Sequence, residues 1–443
     1  MSQLQWDVRV ARSPEPEAQA IVRATHALDA GDRARADQGY RDLQRQGMAH
    51  PASWSNLAAL GIALGDAGGA RANAQRALQL DRDSVDAWVN LGVASWQLGQ
   101  RRDAAMAMHR ALALDPGLEA AALNYARMLQ LVDRPGEARK TLELAVLANP
   151  GAWRLRQALA QQARLDGDAA AARQQALEAL ARLGPHLQPQ VDAAPRPGAE
   201  NEAAAAAASA NVQRALFAAG DALDAAGVPF HLIGGTLLAI HRDGRPFPHD
   251  KDVDLALPYD SDRDAVAAEF AGEFRPVLRA EDPRSHAARE WVMGFTHQQS
   301  GIGVDLMFAR EQDGMMRFEL GWPDYLACEM PAYPLQPLHW GGRDWLAPAP
   351  PRQYLDAIYG PDWAGPAVIR GFDRRWFDTQ VSNPSRTPES LPRAVTLVLL
   401  RLLQALQAGQ WEKARALCIQ VQAREPLPEV GAMLARFERV QAT

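Results

Sequence analysis

Cysteine, charge of a single sign and long apolar runs are all scarce in this chain, and each scarcity closes off a class of protein. Cys328 and Cys418 are the only cysteines, too few for a disulfide framework or a cysteine zinc site. No apolar run is long enough to cross a bilayer, and the opening stretch MSQLQWDVRVARSPEPE lacks the apolar core of a signal peptide. A cytoplasmic protein without a transmembrane segment is expected. The formal charge is only −6, which points to no nucleic-acid or acidic-membrane partner. What remains is an ordinary balance of 47% hydrophobic and 23% charged residues over 443 positions, room for two or three domains.

The first 184 residues repeat. Small residues recur at Ala36, Ala70, Ala104, Ala138 and Ala172, each 34 positions after the last, and a second set keeps the same step through Ala24, Ala58, Gly92, Ala126 and Ala160. Larger positions agree: Trp54 and Trp88 open the second and third copies, Leu57 and Leu91 follow them, and Pro116 and Pro150 close the third and fourth. This is the tetratricopeptide period, in which each copy is a helix, a turn such as Gly31-Asp32 or Gly167-Asp168, and a second helix. One helix pair cannot bury its apolar face alone, so stacking supplies the core and leaves a concave groove for a protein partner. A generic alanine-rich bundle predicts no fixed period. Residues 185–200, rich in proline, read as a linker. A helix is expected from Asn201-Glu202 to about Ala226, with Val212, Leu216, Ala219 and Leu223 on one face and Gly227 as its stop.

Chemistry concentrates between His231 and Leu257. Phe230 to Ile233 reads as a strand, Gly234-Gly235-Thr236 as a turn, Leu237 to Ile240 as the start of a helix, and Asp250-Lys251-Asp252-Val253-Asp254-Leu255-Ala256-Leu257 as a second strand. Because strand side chains alternate, Asp250, Asp252 and Asp254 share one face while Val253 and Leu255 take the other. Carboxylates crowded on one face repel one another unless a cation neutralises them, so a divalent metal is the natural tenant. The plainer alternative is a solvated edge strand. A calcium loop of the D-x-D-x-D-G type fails twice, at Leu255 where glycine is needed and at Ser261 where a bidentate glutamate is needed. Downstream, a helix near Asp262 to Phe274 and a polar loop precede two strand-like runs, Glu290 to Thr296 and Gly303 to Ala309, the latter placing one carboxylate, Asp305, among apolar residues.

The stretch GGTLLAIHRDGRPFPHDKDVDL resembles the LicD and fukutin-related family of the nucleotidyltransferase superfamily, with Gly235, Thr236, Leu237, Leu238, Arg242, Pro248, Asp250, Asp252 and Asp254 on its pattern. Ala239 departs from a glycine, His249 from a tryptophan, and Lys251 fills a slot that is often acidic or aromatic. These departures spare the acidic residues and bear on the substrate. The segment Leu338 to Pro366, with Trp345, Tyr354, Leu355, Tyr359, Gly360 and Trp363, resembles the family's C-terminal element; most of it reads as packing, with Tyr359 and Trp363 as candidates for the rim of the site. The resemblance implies a metal site of Asp252, Asp254 and Asp305 for Mg2+ or Mn2+, with Asp250 as a further ligand or as a base.

The expected architecture is therefore multidomain: an all-α tetratricopeptide solenoid of about five repeats over 1–184, a linker over 185–200, an α+β nucleotidyltransferase-fold domain with a small mixed sheet over 201–385, and a C-terminal helical repeat over 390–443. In the last, Gly409-Gln410 makes the turn, Ala414 the small position, Pro426 the closing proline, and a cap helix follows from Pro428 to Val440. Amides around Gly234, Gly235 and Thr236 are candidate phosphate contacts, since glycine lets a backbone approach closely and the helix dipole favours an anion. Arg242 is a second phosphate candidate, set against a plain salt bridge to Asp243 or Asp250, and Lys251 and His249 complete the substrate-binding set. The family resemblance implies a transferase moving a phospho-alcohol such as phosphocholine from a CDP-alcohol, a nucleoside-diphosphate donor, to a hydroxyl on a glycan such as lipopolysaccharide. Two rivals stand beside it: a nucleotidyltransferase placing NMP on a small molecule or protein, and a non-enzymatic adaptor whose transferase domain is inactive.

Overall fold

A computed structural model describes residues 6–10, 12–187, 202–277, 290–365, 368–369 and 372–441. Most of the expected linker and most of the polar loop ahead of Glu290 lie outside the described residues. The chain divides into two compact units, Met1–Asp166 and Gly167–Thr443. Among the described residues no helix is long and apolar enough to cross a membrane.

The first unit is helical: α1 Glu17–Asp29, α2 Arg33–Gln46, α3 Pro51–Leu64, α4 Ala67–Leu80, α5 Val85–Gln97, α6 Arg101–Leu114, α7 Glu119–Leu131, α8 Pro135–Ala148 and α9 Trp153–Leu165. The turn inside each pair needs one left-handed residue. Gly31, Gly65 and Gly99 supply it at φ of +82°, +79° and +74°, and Asp133 takes the same place at +58° in the fourth pair. Asp32 and Asp66 then cap α2 and α4 by accepting the amides of Arg35 and Gly69. The 34-step small residues are where paired helices touch: Ala36, Ala70, Ala104 and Ala138 are wholly buried, and a Cβ on Gly92 would come within 2.6 Å of Met108 Cε. Trp54 and Trp88 donate their indole N–H to the carbonyls of Met48 and Arg82, tying each helix to the turn before it.

The second unit starts with α10 Ala169–Leu183, capped by Asp168, and α11 Glu202–Ala225, followed by Gly227 at φ +66°. The face predicted for α11 is buried at Val212, Leu216, Ala219 and Leu223. A mixed sheet follows in the order β1-β2-β5-β4-β3, with β6 and β7 continuing from β5: β1 His231–Leu232, β2 Asp252–Pro258, β3 Phe274–Pro276, β4 Val292–His297, β5 Gly303–Gln312, β6 Met315–Leu320 and β7 Leu326–Pro331. Among these described strands only β2 and β5 pair in parallel. Helices α12 Gly234–Asp243 and α13 Arg263–Phe270 lie in the connections. The helix expected near Asp262 to Phe274 is shorter than predicted: it stops at Phe270, and Phe274 opens β3, with its ring 4.6 Å from that of Phe270. The hairpin of β8 Leu335–Trp340 and β9 Arg343–Pro348 leads to α14 Pro351–Tyr359, the short β10 Val368–Ile369 and β11 Phe372–Asp373, and α15 Thr379–Ser382.

The tail forms α16 Leu391–Gln407, α17 Trp411–Arg424 and α18 Pro428–Gln441, with Gly409 at φ +66° in the predicted turn and Ala414 wholly buried. Both α16 and α18 pack on α10, and Arg173 of α10 is ion-paired with Glu425.

Candidate active site

Strand β2 buries Val253, Leu255, Ala256 and Leu257 and leaves Asp252 facing solvent with Asp254 half-buried, the alternation its sequence predicts. Beside it β5 places Asp305 directly opposite Asp254, and on the far side of β5 the residue opposite Asp305 is Gly294. A Cβ at Gly294 would come 3.2 Å from the Asp305 carboxylate, so the absence of a side chain there leaves that carboxylate its space.

The turn expected at Gly234-Gly235-Thr236 is instead the first turn of α12. Gly234 has φ +54°, and a Cβ on it would stand 2.5 Å from Asp254 Oδ2, so glycine is demanded on both counts. The Gly235 amide donates to Asp254 Oδ2 at 3.1 Å, the Asp254 amide donates to the Thr236 hydroxyl at 2.9 Å, and the Gly234 amide donates to the Tyr354 hydroxyl at 3.2 Å. Of the amides considered above for phosphate, that of Gly235 holds Asp254 and that of Gly234 holds Tyr354.

Asp250, Asp252, Asp254 and Asp305 line one cavity of about 910 Å³, a size suited to a small-molecule ligand. No basic side chain among the described residues is ion-paired with any of the four. Burial, then the neighbouring Asp252 and Asp305, push the Asp254 carboxyl well above the usual carboxylate range. Burial and Asp252 raise Asp305 to about 6 and Asp250 to about 7. Burial raises Asp252 too, with Lys251 pulling it back. Like charges held this close favour a proton or a cation.

The other residues singled out from sequence fall less centrally. Arg242 lines the cavity, but its guanidinium is forked onto Asp243 at 2.7 and 3.0 Å and lies over the Phe247 ring at 4.6 Å, the salt bridge weighed above as the plainer option. His249 also lines the cavity and stacks on Phe247 at 5.3 Å. Lys251 is exposed and does not line it, nor does Thr236. Tyr359 and Trp363 do reach the wall, and Trp363 donates to Asp356 at 2.7 Å.

Residues that the sequence did not single out complete the wall: Arg374 and Arg375 from a 3-10 turn after β11, with Gln380 and Asn383 beyond it. Arg375 is paired with Asp373 at 2.9 Å, and Arg374 donates to the Gly365 carbonyl at 3.3 Å. The only cue was the short Asp373-Arg374-Arg375-Trp376 run, which on its face reads as a solvated turn. One cavity therefore carries carboxylates and guanidinium groups together, a combination suited to a ligand that is anionic and cation-bound.

Residues 227–349, from the end of α11 through β9, match the family described as LicD/FKTN/FKRP, nucleotidyltransferase domain. The chain carries a LicD domain. The matched residues include all four aspartates and the glycines of α12, while Tyr354, Tyr359, Arg374 and Arg375 come after them. Residues 85–118, spanning α5 and α6, match the tetratricopeptide repeat. Solved structures similar to the chain include TTC0263, a thermophilic TPR protein of Thermus thermophilus, at 18% identity and TM-score 0.32, over 38% of this chain and 91% of that one. Another is pilF of Pseudomonas aeruginosa, at 15% and 0.31, over 38% and 80%. A third is the first TPR domain of human RPAP3, at 19% and 0.25, over 28% and 98%. No curated protein matches the chain.

The LicD site suits a hard divalent cation in its donors, which are all carboxylate oxygen, in its concentration of negative charge and in its shared cavity. Among the described residues no three carboxylates, imidazoles or thiols stand close enough together to hold an ion as they are placed. The fit is one of donor type and charge rather than of a finished cage.

Proposed function

We propose that the LicD domain is a metal-dependent phosphotransferase that moves a phospho-alcohol from a CDP-alcohol-type donor to a hydroxyl on a glycan. The observation that carries this reading is Asp305 facing Asp254 across parallel strands, in a cavity with Asp250 and Asp252 and with no basic side chain among the described residues paired to them. Asp252, Asp254 and Asp305 would hold Mg2+ or Mn2+, which supplies charge neutralisation for the phosphates and polarises phosphorus. The chain's own groups do the rest. Arg374 and Arg375, with Arg242 if it leaves Asp243, offer planar donors to the diphosphate. Asp250, at about 7, is poised to take the proton of the acceptor hydroxyl. In the transfer the acceptor oxygen bonds to the alcohol-bearing phosphorus, the bond from that phosphorus to the bridging oxygen breaks, and CMP leaves with the bridging electrons. Gly235 and Thr236 act by fixing Asp254, and Gly234 leaves its carboxylate room. The tetratricopeptide repeats would bring a protein partner to the transferase.

Incubation of the whole chain with Mg2+, a glycan acceptor and, in parallel, CDP-choline, CTP or ATP tests the reading by tracing where each phosphorus goes. Release of CMP from CDP-choline, with label on the acceptor, supports it. Pyrophosphate from CTP or ATP would point instead to transfer of NMP. No turnover with any donor, together with equal binding of Mn2+ by the unaltered chain and by Asp252→Asn, would leave the domain without catalysis.

A further inference from the structure

Three first helices of the repeats each bring one asparagine to a common face: Asn56 on α3, Asn90 on α5 and Asn124 on α7, 34 positions apart. All three are buried, and buried amides must be hydrogen-bonded. Their partners include the chain's own opening residues. Asn124 accepts the Asp7 amide at 3.0 Å and donates to the Asp7 carbonyl at 2.7 Å. Asn90 does the same with Arg9, at 3.0 and 2.9 Å, and also donates to Ser55. Asn56 donates to the Ser13 hydroxyl at 2.6 Å.

Two paired contacts spaced two residues apart read the backbone of an extended strand, whose alternate residues face the same way. Side-chain contacts add selectivity. Trp6 lies 6.1 Å from the Trp96 ring and 5.6 Å from the Arg127 guanidinium. Asp7 is ion-paired with Arg154, which also holds Glu119 at 2.8 Å, and Arg9 meets Asp86 at 2.6 Å. Val8 packs on the apolar core of the repeats. The seated residues therefore run aromatic, acidic, apolar, basic.

We propose that this face is a peptide-binding site built on Asn90 and Asn124 and filled by residues 6–9 of the same chain, so that an external partner enters as an extended aromatic–acidic–apolar–basic segment only by displacing them. The recognition is two-layered. The asparagines accept any extended backbone, and Arg154, Asp86 and Trp96 choose among them.

The test uses the whole chain and its double variant Asp7→Pro with Arg9→Pro, which deletes both donated amides without touching a helix. The probe is a dye-labelled peptide of residues 6–14. Amide exchange should be slow at residues 7 and 9 of the unaltered chain, and the probe should bind the double variant at least tenfold more tightly than it binds that chain. In the double-variant background Asn124→Ala should weaken the probe tenfold, and Arg154→Ala, a partly exposed change that spares the helix core, should weaken it severalfold. Equal probe affinity for both chains, or equal affinity for a scrambled peptide, overturns the proposal. Exchange protection that vanishes on dilution together with a fall in mass would seat the segment on a second copy and overturn the assignment to the same chain.

Discussion

In the repeats Asp86, Asp103, Glu119 and Glu143 each face an arginine, whereas in the LicD cavity Asp250, Asp252, Asp254 and Asp305 face one another. The first arrangement is charge balance on a partly solvated helix surface. The second keeps like charges together in one partly enclosed cavity, which costs folding free energy until a proton or a cation arrives. A fold that gives up stability in one place and balances charge in another marks the first place as a working site. Removing one of those carboxylates is the sharpest way to break the contrast. Asp305→Asn and Asp254→Asn should each lower CMP release from the donor by on the order of 10²–10³-fold while the metal-free protein keeps or gains melting temperature. Turnover unchanged in both would reduce the cavity to a structural one.

The same contrast has a pH signature that His231 complicates. Its imidazole, buried at the start of β1 and 3.1 Å from the Tyr333 hydroxyl, is pushed by burial from 6.5 down to about 4. Above 6.5 it is neutral in both folded and unfolded chains and makes no difference. As pH falls from 6.5 toward 4 the unfolded chain takes up a proton that the folded one refuses, and stability is lost across that window, by roughly 3 kcal/mol at its acid end. The raised carboxylates work the other way: they cost stability at neutral pH and return it as pH drops through about 7 for Asp250 and about 6 for Asp305. Urea midpoints at pH 7.5 and pH 4.5 should show His231→Gln far less acid-sensitive than the unaltered chain. An identical loss in both would move the acid sensitivity elsewhere.

Packing supplies the next contrast. The paired helices of the repeats meet at alanine, with Ala104 wholly buried and its carbonyl 3.3 Å from where a Cβ on Gly92 would stand. Ala104→Leu has nowhere to put three extra carbons and should cost about 1–3 kcal/mol, read as a lower thermal midpoint of the first unit with transfer activity unchanged. If activity falls in proportion, the two units are coupled in a way that charge alone does not suggest.

Legibility followed the same divide. The repeats could be read because one unit recurs: alanine at the helix contact returns on a fixed step, with glycine at most of the turns, and the helices appear where that step puts them. The acidic strand could be read because alternation is local. The glycines of α12 were only half legible. Sequence shows that backbone must come close to something, but that Asp254 is one such neighbour depends on a residue 19 positions later. The pairing of β2 with β5 joins segments about 50 residues apart, and no local pattern sets its register. Arg374 and Arg375 reach the cavity from a turn about 60 residues beyond β5, and nothing in their neighbours marks them. The asparagines at 56, 90 and 124 did carry the repeat's period, yet buried amides betray their purpose only once their partner is seen.

The smallest expected effect bears on the paired charges themselves. Arg110 meets Asp83 at 2.9 Å with both side chains about half or more in solvent. Water screens such a pair and two flexible side chains must be ordered to make it, so Arg110→Ala should cost no more than about 0.5 kcal/mol and fade further in added salt. Chemical denaturation at low and high ionic strength measures both. A cost above about 1 kcal/mol that survives salt would mean that ion pairs on the repeats hold helices in place instead of merely balancing charge. The stability difference between the two regions would then lie partly in their ion pairs, and the crowded aspartates would stand out less as an electrostatic cost.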